Sequence, residues 1–142
     1  MTAANTSPIF PLTPQVTAAG TFATLTTANT AKDGTGTVVT IYTAGAQAGY
    51  VNTVKWMPLG TNTASVGRIF LNNGSTNATP ANNQLLADIS LPATTNSEIA
   101  AISTAAMTLT LNLGIPAGYK LNATIGTTVA AGWNACPSAG DY

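Results

Sequence analysis

Along most of the chain, apolar and polar residues alternate with a period of two, the spacing that sets one face of a strand against a core and the other in water. The cleanest run is Met107, Leu109, Leu111 and Leu113 against Thr108, Thr110 and Asn112. Leu85, Ala87, Ile89 and Leu91 alternate with Leu86, Asp88 and Ser90 until Pro92 stops them. Leu121, Ala123 and Ile125 share one face of a strand predicted over 119–125, and Val129, Ala131, Trp133 and Ala135 continue after Gly126-Thr127-Thr128, which predicts an antiparallel hairpin. Segment 50–59 carries bulk on both faces, with Tyr50, Val54 and Trp56 among Val51, Thr53, Lys55 and Met57. That pattern predicts a strand covered on both sides or one at a subunit contact.

Turn signals divide these runs. Asp33-Gly34 leads into a β-branched strand over 37–43, and Asn72-Asn73-Gly74 closes one over 65–71. The loop 75–83 is polar and long enough to reach a partner. A first strand begins at Val16 and runs through Phe22 and Leu25, interrupted by Gly20. Segment 97–106 suits a short helix capped by Ser97 or a strand about equally, and its β surroundings favour the strand. Ahead of all this, Pro8, Pro11 and Pro14 surround Ile9, Phe10 and Leu12, a spacing that forbids helix and predicts an extended arm. The reading is therefore all-β: an antiparallel β-sandwich of about eight or nine strands with jelly-roll topology, residues 15–142, preceded by an extended N-terminal arm, residues 1–14.

Composition narrows the function. The 142 residues include no histidine, one cysteine and eight charged side chains. Lys32, Lys55, Arg68 and Lys120 balance Asp33, Asp88, Glu98 and Asp141, so there is no basic stripe to neutralise phosphates and nucleic-acid binding is not expected. Near-zero net charge removes long-range repulsion and favours association. No run of about twenty apolar residues is present to span a membrane, and the first residues lack the basic start and apolar stretch of a signal peptide, so a soluble, unprocessed chain is expected. Cys136 has no second cysteine to pair with and no cationic residue beside it in the sequence.

Catalytic chemistry has little to work with. Asp88 and Glu98 could serve glycoside hydrolysis only if held about 5–10 Å apart in a cleft, and ion pairing of these carboxylates with Arg68 or Lys55 is the stronger reading. Gly34-Thr35-Gly36 lacks the helix and lysine of a phosphate loop. No enzyme activity, metal or cofactor is expected. Trp56, Trp133, Tyr42, Tyr50, Tyr119 and Tyr142 keep a carbohydrate-binding module open as an alternative, although aromatic residues in strands more often fill cores or interfaces.

Several phrases carry a resemblance. They are the segment 60–74 with Val66-Gly67-Arg68-Ile69-Phe70, Asn82-Asn83-Gln84-Leu85-Leu86, Leu91-Pro92-Ala93-Thr94-Thr95, Leu113-Gly114-Ile115-Pro116-Ala117-Gly118-Tyr119-Lys120-Leu121, segment 126–133 and Gly140-Asp141-Tyr142. Over roughly residues 50–142 the chain resembles small β-rich proteins encoded among the structural genes of tailed bacteriophages. The resemblance implies a virion component, a head decoration or cement protein on the capsid surface, bound to the major capsid protein and often a homotrimer. On that reading Ile9, Phe10 and Leu12 of the arm contact a capsid subunit or an adjacent copy, with Arg68 and Asp88 as interface charges. A tail or fibre subunit touching the host surface through loop 75–83 is the second expectation.

Overall fold

The computed structural model describes residues 12–16, 23–97, 99 and 106–142, and it is all-β. Nine strands appear among these residues: β1 (Thr13–Gln15), β2 (Thr24–Leu25), β3 (Val39–Thr43), β4 (Gly49–Pro58), β5 (Ser65–Asn72), β6 (Asn83–Leu91), β7 (Met107–Ile115), β8 (Lys120–Ile125) and β9 (Trp133–Asp141). A 3-10 turn, Pro80–Asn82, precedes β6. The strands form two antiparallel sheets packed as a β-sandwich. Sheet A has the order β1-β9-β4-β7, with β2 also on β9, and sheet B the order β3-β8-β5-β6.

The pairing is nested. β5 pairs with β6, β4 with β7, β3 with β8 and β2 with β9, so the chain behaves as one long hairpin folded over on itself. This nesting corrects the hairpin expected at 119–135: β8 and β9 lie in different sheets, and Val129 is a buried loop residue between them.

Alternation along each strand fills the space between the sheets. Val51, Val54 and Trp56 of β4 meet Ile69 of β5, Leu121, Ala123 and Ile125 of β8, and Trp133 of β9, all buried. Trp56 lies over Gly67, where a Cβ would come within 2.9 Å of the indole and of Ile89, so only glycine leaves room for the ring. Each large buried side chain contributes about 1.5–3 kcal/mol of transfer free energy. Among the described residues the two indole N–H groups find no acceptor, which offsets part of that gain by about 1–3 kcal/mol each.

Polar side chains close the ends of the sandwich. Asn62 Nδ2 donates to the Gly132 carbonyl at 2.9 Å, while its Oδ1 accepts from the backbone of Ala131 and Gly132 at 3.1 and 2.9 Å. Its backbone also pairs both ways with Thr94. One residue thus ties the β4–β5, β6–β7 and β8–β9 connections together. At the opposite end, Asp141 accepts from the Tyr42 hydroxyl at 2.5 Å, from the Gly45 backbone at 3.1 Å and from the Gln15 side-chain amide.

Candidate interaction surface

The two sheets present very different outer faces. On sheet B, Ile69 points into the core, so Arg68 and Phe70 point outward, opposite Thr124 and Asn122 of β8. All four are nevertheless buried. The cover is the chain that leaves β2: Ala28 pairs with Ile125, the Asn29 N–H donates to the Ile125 carbonyl at 2.7 Å, and Arg68 Nη1 donates to the Asn29 carbonyl at 3.2 Å. The run then passes over Phe70, where a Cβ on Gly34 would stand 3.1 Å from the ring.

Asparagine amides hold this cover in place. Asn29 Nδ2 donates to the carbonyls of Thr35 and Thr37 at 2.7 and 2.8 Å, and Asn77 Nδ2 to those of Gly34 and Gly36 at 3.4 and 2.8 Å. The Thr35 hydroxyl and backbone N–H donate to Asp33 Oδ1 at 2.7 and 3.0 Å and hold that carboxyl below its ordinary range. Loop 75–83, expected to reach outward, is braced on itself. Asn72 Nδ2 donates to Asn83 Oδ1 at 2.8 Å, Asn73 Nδ2 to Asn82 Oδ1 at 3.1 Å, and Asn83 Nδ2 to the Asn77 carbonyl at 2.9 Å.

Sheet A is left open by the described residues. Because Val51, Val54 and Trp56 face the core, Tyr50, Thr53, Lys55 and Met57 of β4 face out, opposite Gly114, Thr110 and Thr108 of β7 and Gly140, Ser138, Cys136 and Asn134 of β9. The surface is hydroxyl, amide and short aliphatic groups with Lys55 as its charge. Pro14 of β1 lies opposite Gly140, and its same-face neighbours Leu12 and Val16 are 83% and 56% exposed. An apolar stripe therefore borders a flat polar face.

The expected contact residues divide three ways. Ile9 and Phe10 lie outside the described residues. Leu12 is exposed on the border of sheet A, its N–H donating to the Asp141 carbonyl at 2.7 Å. Arg68 and Asp88 are cross-strand neighbours that pair with each other, Nε to Oδ1 3.3 Å. Arg68 is 8% exposed, so it serves the interior while Asp88 reaches the surface. Pro14 and Thr13, assigned to the arm from sequence, are strand residues here. Of segment 97–106, all but Ser97, Ile99 and Ala106 lies outside the described residues.

Among the described residues no three His, Cys, Asp or Glu side chains gather to hold a metal. A depression of about 550 Å³ at the Asn62 end is lined by Thr61, Thr63, Thr95, Thr128, Ala93 and Ala130, none of them titratable. The Tyr42–Asp141 pair is closed in: burial first, then the hydrogen bond to Asp141 and its charge, push the phenol well above its ordinary range. Cys136 stands across from Lys55, a cation invisible in its sequence neighbourhood. No described helix is long and apolar enough to cross a membrane. Neither a family model nor a curated protein nor a solved structure matches the chain.

Proposed function

We propose that this protein is a structural subunit of a tailed-bacteriophage virion, a capsid decoration or cement protein that sits on the outer capsid lattice through the open face of sheet A. The observation that carries the reading is the asymmetry of the two outer faces. Sheet B is roofed by its own chain and pinned by asparagines, while sheet A offers a polar surface, with Lys55 as its charge, edged by Leu12, Pro14 and Val16. The nested strand order supports a jelly-roll, an architecture frequent among viral capsid and lectin domains. A sugar-stacking role is less well served, because Tyr42, Trp56 and Trp133 are wholly buried, and of the aromatic rings in β4 it is Tyr50 that faces out.

In this reading the work is done by copy number. Each subunit buries a modest area against the junctions of the shell, and many copies on one lattice supply what a single contact does not. Ile9 and Phe10, which precede Leu12 in the sequence, are proposed to join the contact. The test is a cryo-EM reconstruction of heads mixed with the purified protein. The expected result is density at regular lattice positions with sheet A against the shell, diminished by Tyr50→Ala with Lys55→Glu and by deletion of residues 2–11. Protein left free, or bound only at the tail, would overturn the proposal.

A further inference from the structure

We propose that two copies of this chain pair edge to edge through β7, by antiparallel backbone hydrogen bonds about a two-fold axis at Leu109. β7 pairs with β4 on one side, and among the described residues nothing pairs with its other edge. An open strand edge is a row of unpaired N–H and C=O groups that matches any second strand, and most proteins guard such edges with lysine, proline or inward charge. Residues 107–115 contain none of these.

The guard that β7 does have defines the contact. Val51 pairs with Leu113 but Thr53 with Thr110, so β7 carries an extra residue there, with Asn112 at a φ of 48°. This bulge turns the strand away from regular pairing and confines the straight edge to residues 107–111.

The occupant follows from the order of those five residues. Met-Thr-Leu-Thr-Leu reads nearly the same in both directions. Two copies set antiparallel about Leu109 place Thr108 of each opposite Thr110 of the other, and Met107 of each opposite Leu111 of the other. Hydroxyls meet on the outer face and aliphatic groups on the core face, both favourable cross-strand combinations. A slip by one residue would set threonine against leucine, and a slip by two would keep the pattern but pair only three of the five positions, so the Leu109-centred register is the one that pairs all five.

The core side gains as well. Met107, Leu109 and Leu111 are half-buried, packed on their own core yet not covered, as are Leu86 and Ile89 of β6. Because Trp56 of β4 packs on Gly67 of β5, the next strands outward, β7 and β6, border the same flank. A second copy covers that flank and continues sheet A across the axis. The pairing leaves the outer face of sheet A free and does not depend on where that face docks.

Sedimentation equilibrium of the full chain over a concentration series tests the pairing. The expected mass rises from 14.2 kDa to twice that value. A chain that stays single at high concentration, or assembles as three, overturns it. Two variants at exposed positions test the register. T108E/T110E sets like charges opposite each other and is expected to weaken pairing by about tenfold, whereas T108E/T110K sets opposite charges together and is expected to restore it. Equal pairing by both variants, or the loss of pairing in both with unchanged melting curves, would overturn the Leu109-centred arrangement.

Discussion

Asn29 and Asn77 grip the same four-residue run: one amide takes the carbonyls of Thr35 and Thr37, the other those of Gly34 and Gly36. An amide NH₂ has two hydrogens, so each asparagine is used to capacity by alternate carbonyls. Asn29→Ala is expected to destabilise the fold by about 1–3 kcal/mol, since Asn29 is buried and leaves two carbonyls and the Ala31 N–H without partners. Asn77→Ala, at a half-exposed site, is expected to cost about 1 kcal/mol or less. Urea unfolding of both single variants and the double variant checks this, and the double variant should lose less than the sum because one run is released by either change.

Gly34 and Gly118 separate backbone strain from crowding. Their φ values are nearly equal, 76° and 75°, but a Cβ at Gly118 meets nothing within 4 Å whereas one at Gly34 falls 2.5 Å from Asn83 Cβ. Gly118→Ala is expected to cost about 1–2 kcal/mol for the left-handed backbone alone. Gly34→Ala should exceed it by a further ~1–3 kcal/mol and loosen the cover over Phe70. Thermal melts that rank the two variants equally would contradict the packing described for the cover.

The Arg68–Asp88 pair makes an asymmetric prediction. Asp88 is exposed, so its loss removes a solvated carboxylate, but the loss leaves a mostly buried guanidinium with only the Asn29 carbonyl for company. Asp88→Ala is expected to destabilise by about 1–2 kcal/mol, a figure kept small because water reaches the pair. Replacing Arg68 with methionine in the same chain should recover part of that loss, since the stranded charge goes with it. Chemical denaturation of the two variants decides the matter.

Tyr42 sets an alkaline limit. Its phenol is held above its ordinary value in the folded chain, so the unfolded chain gives up this proton first as pH rises. The stability it contributes is whole below about pH 10, the ordinary tyrosine value, and falls as pH climbs beyond it. Unfolding free energy measured from pH 8 upward should therefore bend down near that point, and Tyr42→Phe should bend less. Burial and the Asp141 carboxylate cause the effect, so weakening on the acid side is not expected from this group.

Much of the fold was legible where alternation was strong. β7 lies where Met107, Leu109, Leu111 and Leu113 placed it, and β5, β6 and β8 agree with their patterns to within a residue or so. The two-sided bulk of segment 50–59 is a central strand with Trp56 in the core and Tyr50, Lys55 and Met57 on the open face. β9 was read at its start, Trp133 and Ala135, but its continuation was hidden: Cys136-Pro137-Ser138-Ala139-Gly140 has poor strand formers, and a proline argues against an inner strand. It is tolerated because β1 ends opposite Ala139 and β2 begins opposite Asn134, so no described strand lies along that side of Pro137. The staples Asn29, Asn62 and Asn77 were missed because an asparagine-rich sequence reads as wetted surface, and nothing local distinguishes an amide that will bridge to a distant segment of the chain. Only Asn72-Asn73-Gly74, with its turn signature, gave a hint of that role.

The open face of sheet A has one further consequence. Surfaces that hold by charge loosen as salt rises, because the screening length shrinks from about 10 Å at 0.1 M to about 3 Å at 1 M. Here the outward residues of β4, β7 and β9 offer hydroxyls, amides, a thiol and the single ammonium of Lys55. There is little for dissolved ions to screen. A partner seated on this face would be held much alike in dilute fresh water and in brine.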